Sequence, residues 1–316
     1  MTATCTLTDC GATPDVEYSM DDYQGALARW CPGCGDHSVL SAVQRLLEAR
    51  QMVPERTVFV SGIGCSSRFP HYLRTYGFHG IHGRALPVAT GVKLARPDLD
   101  VFTVMGDGDC CSIGAAHWVH ATRYNVDMTV LLLDNNIYGL TKKQTSPTTP
   151  QGFPTNTQPR GSWLPPLNPI VATLGVTNAS FVAQTADWVP GHLYQTILAA
   201  HRHRGFAFVR ILQRCPQYTS ALFDAAVRDP SKTELLVHER GVDVPDLHGR
   251  YTSRRSHDPS DLQAARQLAE DSGVVRLGIF YRNESSPRYE ETRHVAPHCA
   301  DERLAFLTRE LDRHAV

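Results

Sequence analysis

The chain has 316 residues, a formal net charge of −1, 42% hydrophobic residues and 20% charged ones. That length suits one large α/β domain, or a domain with an extension, and the apolar share supports a sizeable core. The balanced charge leaves no electrostatic footprint for nucleic acid or an anionic membrane, and no run of 18 apolar residues reads as a membrane span.

Residues 1–22 read as a polar N-terminal arm without the basic and apolar regions of a signal peptide, so a cytoplasmic protein is expected. Nine cysteines, an odd number in such a chain, argue against a disulfide framework and for reduced thiols. The elements then follow in chain order. A C-x-x-C loop, Trp30-Cys31-Pro32-Gly33-Cys34-Gly35, leads into a helix over His37–Arg50. Asp36 is its expected N-cap, and Val39, Leu40, Val43, Leu46 and Leu47 share one face. The β-branched run Thr57–Ser61 reads as a buried strand and ends in Gly62-Ile63-Gly64-Cys65-Ser66-Ser67.

A helix over Arg84–Arg96 precedes a second strand, Val101–Met105, which ends in Gly106-Asp107-Gly108-Asp109. A helix over Ile113–Tyr124 leads to a third strand, Met128–Leu133, which ends in Asp134-Asn135-Asn136-Ile137-Tyr138-Gly139. The Pro-, Thr- and Gly-rich stretch Lys142–Pro169 shows no periodicity and reads as a long functional loop, with a linker as the plain alternative. A weak strand over Ser180–Ala183, a helix over Asp187–His203 and a strong strand over Phe206–Leu212 follow, and Cys215-Pro216 comes next. Beyond Arg228 the pattern weakens to a helix over Asp261–Ser272 and a strand over Val274–Tyr281. No internal repeat is visible. Strands alternating with helices of this length predict an α/β fold: a doubly wound parallel sheet with flanking helices. The expected division is an arm (1–22), a main domain (23–228) and a C-terminal extension (229–316).

Ligands of open α/β sheets bind outside the carboxyl ends of the strands, and three glycine-bearing loops fall at such ends. Gly-Asp-Gly at 106–108 and Asn135-Asn136 are separated by the 26 residues 109–134. That is the spacing of a diphosphate–Mg²⁺ motif. Mg²⁺ prefers hard oxygen ligands, here the side chains of Asp107 and Asn135 with the carbonyl of Ile137. Gly108 is expected to let the backbone approach phosphates, aided by a helix beginning near Ser112. An ordinary strand–turn–helix with a capping Asp is the plain reading of a lone GDG. A second constellation is Cys31, Cys34, Cys65 and Cys215, which strand ends and loops can bring to one point. Four thiolates suit structural zinc or a [4Fe–4S] cluster. Two ligands isolated in sequence, one of them in the rim, favour the cluster. Cys110 and Cys111 read as packing residues, and Cys5, Cys10 and Cys299 have no partner spacing.

The motifs WCPGCGDH, GIGCSSRFPHY, HGIHGRALPVATGVK, GDGDCCSIGAAH and DNNIYGLTKKQTSPT together resemble the β subunit of 2-oxoacid:ferredoxin oxidoreductases over about residues 20–220. The LTK-x-Q-x-SPT and HGRALP runs are more similar to the 2-oxoglutarate branch than to the pyruvate branch. The resemblance implies the thiamine diphosphate-binding fold of the pyrophosphate-binding type. It also implies cluster ligands at Cys31, Cys34, Cys65 and Cys215 and Mg²⁺ ligands at Asp107, Asn135 and Ile137. Cofactor contacts are implied at Ile63, Gly64, Cys65, Ser66, His82, Gly108, Asp109, Gly139 and Leu140, and a substrate-carboxylate contact at Lys142. Lys143 stands where the family often has Gly, so either lysine is a candidate. The implied reaction is the reversible oxidative decarboxylation of 2-oxoglutarate to succinyl-CoA and CO₂, with coenzyme A and ferredoxin as partners. An α subunit, in an αβ or α₂β₂ assembly, would supply the carboxylate that activates the thiamine ring. Alternatives are a pyruvate or broad-specificity member, a non-oxidative thiamine diphosphate decarboxylase or synthase, and a non-catalytic Cys₄ scaffold.

Overall fold

The structure is a computed structural model in which residues 17–271, 273–292 and 300–314 are described, the side chains of residues 300–303 excepted. Most of the expected arm, Ser272 at the end of an expected helix, and Cys5, Cys10 and Cys299 lie outside the described residues. The described strands are β1 (Thr57–Ser61), β2 (Tyr76–His79), β3 (Asp100–Gly106), β4 (Met128–Asp134), β5 (Phe181–Ala186), β6 (Phe206–Leu212), β7 (Thr233–Val237), β8 (Arg254–Ser256) and β9 (Val275–Arg282). They form one sheet in the order β2-β1-β3-β4-β6-β5-β9-β7-β8. Every neighbouring pair is parallel except β5 with β9. The parallel strands of the centre are buried on both faces, which is why β1, β3, β4 and β6 read as largely apolar runs.

Helices α1 (Asp36–Ala49) and α5 (Pro190–Arg202) cover one face, while α2 (Ala85–Ala95), α3 (Ala115–Tyr124), α4 (Pro169–Leu174) and α7 (Leu262–Glu270) cover the other. The short helices α6 (Asp224–Arg228) and α8 (Tyr289–Thr292) lie toward the C-terminus, and α9 (Ala300–Arg313) follows. Strand alternation splits the core cleanly. Phe59 of β1 faces the α1/α5 side and stacks on Phe102, with centroids 4.7 Å apart. Val58 and Val60 face the other side. The sheet is therefore doubly wound, as the alternation of elements predicts.

Several elements differ from expectation. Asp36 is the first residue of α1 rather than its N-cap, a position held by Gly35, and its side chain is buried at 1% exposure against the Cys34 thiol. Strand β2 escapes sequence reading because all four of its residues are exposed, so it has no apolar run. The expected strand Val274–Tyr281 is β9, and two strands that the sequence did not indicate, β7 and β8, continue the same sheet beyond it. After β3, helical geometry begins at Asp107 rather than near Ser112 and passes through a π-turn over Asp109–Ile113 before α3.

Candidate active site

The loops after β1, β3 and β4 converge as the topology requires, and they wall a cavity of about 430 Å³. Its wall includes Ile63, Gly64, Cys65 and Ser66 from the first loop, Asp107, Gly108 and Asp109 from the second, and Asn135, Ile137, Gly139 and Leu140 from the third. His82 completes the set of expected cofactor contacts on that wall. Lys142 is exposed and is not on it, although Leu140, Thr141 and Gln144 on either side are. Lys142 and Lys143 both hold left-handed backbone angles, φ 69° and 65°. A β-carbon disfavours that region, so both lysines hold a backbone conformation that favours glycine. The Lys143 ammonium lies 5.5 Å from the centre of the Phe153 ring.

Asp109 ties the rim together. Its Oδ1 accepts the N–H of Ile63 at 3.1 Å and of Gly83 at 2.6 Å. His82 Nδ1 stands 2.8 Å from the same oxygen without being directed at it for a hydrogen bond. Burial pushes the Asp109 carboxyl up, and these two N–H groups pull it back. Any β-carbon at Gly62 would fall 2.1 Å from Asp109 Oδ2, so glycine there is a close-approach requirement.

Asp107 is 2% exposed and opens onto the cavity. Burial, and then the charge of neighbouring Asp134, push its carboxyl above the usual range. Asp134 has a counter-ion, since Arg210 approaches its Oδ2 at 2.6 and 2.7 Å. Asp107 has no such cation among the described residues; its side-chain partners are the hydroxyls of Ser146 and Thr148. Asn135 Oδ1 accepts the N–H of Ile137 at 3.2 Å, which orients the amide and the following carbonyl together.

Tyr138 accounts for Gly108. Its hydroxyl donates to the Gly108 carbonyl at 2.9 Å, and its ring lies where a Gly108 β-carbon would be. Gly108 has an ordinary φ of −67°. Close approach, not left-handed backbone, is therefore what requires glycine.

Cys65 stands half-buried on the cavity wall. Burial pushes its thiol up to about 12, with the charges of Asp36, Cys215 and Cys31 adding to the effect. Cys34 is pushed up by burial as well, then by Asp36, Cys215 and Cys65. Cys65 is thus within electrostatic reach of Cys31, Cys34 and Cys215. Gln213 Nε2 donates to Cys34 Sγ at 3.1 Å, and Trp30 Nε1 donates to the Cys65 carbonyl at 2.7 Å. The six cysteines of the described residues are all free. Among the described residues no three His, Cys, Asp or Glu side chains are gathered as around a single metal ion.

Sequence reasoning placed Asp134 and Tyr138 in the third rim loop without a role, and it gave none to Gln144, Ser146, Thr148 or Arg210. For Ser146 and Thr148 a signal existed in the hydroxyl-rich tract Thr145–Thr149, which nevertheless reads as loop. The arginine is hidden inside the apolar run of β6.

Two family profiles match the chain. Residues 62–211 match the C-terminal TPP-binding domain of thiamine pyrophosphate enzymes, and residues 248–297 match the C-terminal region of the pyruvate ferredoxin oxidoreductase β subunit. The 2-oxoglutarate oxidoreductase subunit KorB of Mycobacterium tuberculosis is 48% identical, over 78% of this chain and 66% of that protein. The 2-oxoacid:ferredoxin oxidoreductase β subunit of Saccharolobus solfataricus is 38% identical, over 83% and 84% respectively. A solved 2-oxoglutarate:ferredoxin oxidoreductase from Magnetococcus marinus, with 2-oxoglutarate, coenzyme A and succinyl-CoA bound, superposes with a TM-score of 0.76. Its sequence is 35% identical, and the match covers 93% of this chain and 91% of that one. With a thiamine diphosphate-binding domain at its centre, the chain belongs to the β subunits of the 2-oxoacid:ferredoxin oxidoreductases.

Proposed function

We propose that the chain is the β subunit of a coenzyme A-dependent 2-oxoglutarate:ferredoxin oxidoreductase. In one direction it would form succinyl-CoA and CO₂ and reduce ferredoxin; in the other it would fix CO₂. The observation that carries this reading is Cys65, which stands on the wall of the cofactor cavity and in the cysteine neighbourhood at once. The names of the similar proteins support the choice of 2-oxoglutarate over pyruvate.

The donor chemistry of these residues suits the implied groups. Asp107 is a buried carboxylate that faces a cavity without a counter-cation among the described residues, and such a charge is costly unless a cation meets it. Asp107, Asn135 and the Ile137 carbonyl are all hard oxygen donors, as Mg²⁺ with a diphosphate demands. Cys31, Cys34, Cys65 and Cys215 are the soft donors that suit a [4Fe–4S] cluster, and Gln213 and Trp30 supply hydrogen bonds at that site. A cytoplasmic setting suits the free thiols.

Thiamine diphosphate supplies the electron sink for decarboxylation when bound. The protein's own part is positional. Asp109 holds the loops of Ile63 and Gly83 in one arrangement, and Tyr138 braces Gly108. His82, Ile63 and Leu140 shape the cavity. Lys142, with Lys143 beside it, would meet the substrate carboxylate at the cavity edge. Coenzyme A, ferredoxin and an α subunit that supplies the activating carboxylate complete the assembly, αβ or α₂β₂.

The test is anaerobic purification with the α partner. The reading requires a brown protein containing thiamine diphosphate, Mg²⁺, iron and sulfide, turning over 2-oxoglutarate faster than pyruvate with ferredoxin or a dye. Thiamine diphosphate in a colourless protein would indicate a non-oxidative enzyme, and zinc without thiamine a Cys₄ scaffold.

A further inference from the structure

Thr148 lies between two buried carboxylates, with Oγ1 2.7 Å from Asp107 Oδ2 and 2.8 Å from Asp134 Oδ1. A hydroxyl has one proton to donate, so it serves one carboxylate at a time. Asp134 is already matched by Arg210. Both loop hydroxyls, Ser146 and Thr148, approach the same oxygen of Asp107, and no side-chain donor among the described residues reaches its Oδ1.

The tetrapeptide itself is anchored from the third rim loop. Asn136 donates its amide to the Thr148 carbonyl at 2.9 Å, and the Thr149 hydroxyl donates to the Asn136 carbonyl at 2.7 Å. Asn136, at φ 60°, sits between Asn135 and Ile137. Residues 146–149 therefore brace both segments that carry the three oxygens proposed as cation ligands. They do so while belonging to the long loop that carries Lys142.

We propose that Thr148 is a positioning residue of the cation site: with Asp134 already matched by Arg210, its hydroxyl donates to Asp107, fixing one carboxylate oxygen and presenting the other to Mg²⁺. This rests on the thiamine diphosphate–Mg²⁺ reading above.

The test is a Mg²⁺ titration of thiamine diphosphate binding by calorimetry on the full chain with its α partner, comparing wild type, Thr148→Val and Thr148→Ser. Removing a residue that orients a metal ligand lowers metal affinity about 10- to 100-fold. Thr148→Val is expected to raise the half-saturating Mg²⁺ by that factor, and Thr148→Ser, which keeps the hydroxyl, to return it to within about threefold. The iron–sulfur absorbance is expected to be unchanged in both. Wild-type affinity in Thr148→Val, or equal impairment in Val and Ser variants, overturns the proposal alone. Failure of the wild type to bind thiamine diphosphate in a Mg²⁺-dependent way overturns the functional reading with it.

Discussion

Replacing Gly108 by alanine tests whether the cavity depends on the Tyr138 brace. The new β-carbon would lie 2.3 Å from Tyr138 Cε1 and 2.5 Å from Cζ. Carbon atoms rest at about 3.5–4.0 Å, so the ring must retreat by about 1.2 Å or more. That movement pulls the hydroxyl away from the Gly108 carbonyl, now at 2.9 Å. Overpacking costs about 1–3 kcal/mol and the hydrogen bond about 1 kcal/mol. The helical φ of −67° returns about 0.5–1 kcal/mol through reduced backbone entropy. The net loss of stability is about 1–3 kcal/mol, and because it displaces two residues of the cavity wall, thiamine diphosphate should also bind more weakly. Calorimetric titration and a thermal melt read both quantities. Gly91→Ala is the control: it lies within α2 with nothing within 4 Å of its added β-carbon, and should be neutral or stabilising. An unchanged dissociation constant and melting temperature in Gly108→Ala would refute the reasoning.

Three further outcomes follow from other parts of the molecule. Asp107→Ala should abolish Mg²⁺-dependent retention of thiamine diphosphate while iron and sulfide content stay at wild-type levels; loss of both would mark Asp107 as structural. Lys142→Ala should raise KM for 2-oxoglutarate at least several-fold, more than the same change at Lys143, and unchanged KM and kcat would remove Lys142 from substrate binding. His192 is 1% exposed and burial lowers its pKa to about 4. A folded value below the unfolded value of about 6.5 means the unfolded chain binds the proton first. Stability from neutral His192 is thus full above about pH 6.5 and lost as pH falls toward 4. Denaturant titrations at pH 8 and pH 5 should show the stability gap between wild type and His192→Gln closing by about 2 kcal/mol, and a pH-independent gap contradicts burial as the cause.

The sequence carried the sheet's centre well because β1, β3, β4 and β6 are buried on both faces and are therefore largely apolar. It carried the rim equally well, since topology alone puts Gly62–Ser67, Gly106–Asp109 and Asp134–Gly139 at neighbouring strand ends. It failed where a residue's role depends on a distant partner. Strand β2 exists through pairing with β1 and leaves every side chain exposed. Asp36 sits at a position suited to capping but is drawn to Cys34 instead. Thr148 and Asp107 are 41 residues apart, and nothing in a Ser-Pro-Thr-Thr tract says which carboxylate it will meet. Strands β7 and β8 are short, and β8 is wholly exposed, so the polar tail gave little sign that it completes the sheet.

The central claim is that cluster and thiamine site are neighbours joined at Cys65. The most direct measurement is the visible spectrum of the anaerobic complex, replete with thiamine diphosphate and Mg²⁺, after 2-oxoglutarate is added without ferredoxin. Bleaching of the iron–sulfur band within one turnover, absent in Asp107→Ala, is the predicted result. A spectrum unchanged by substrate in a complex that still releases CO₂ would contradict the claim.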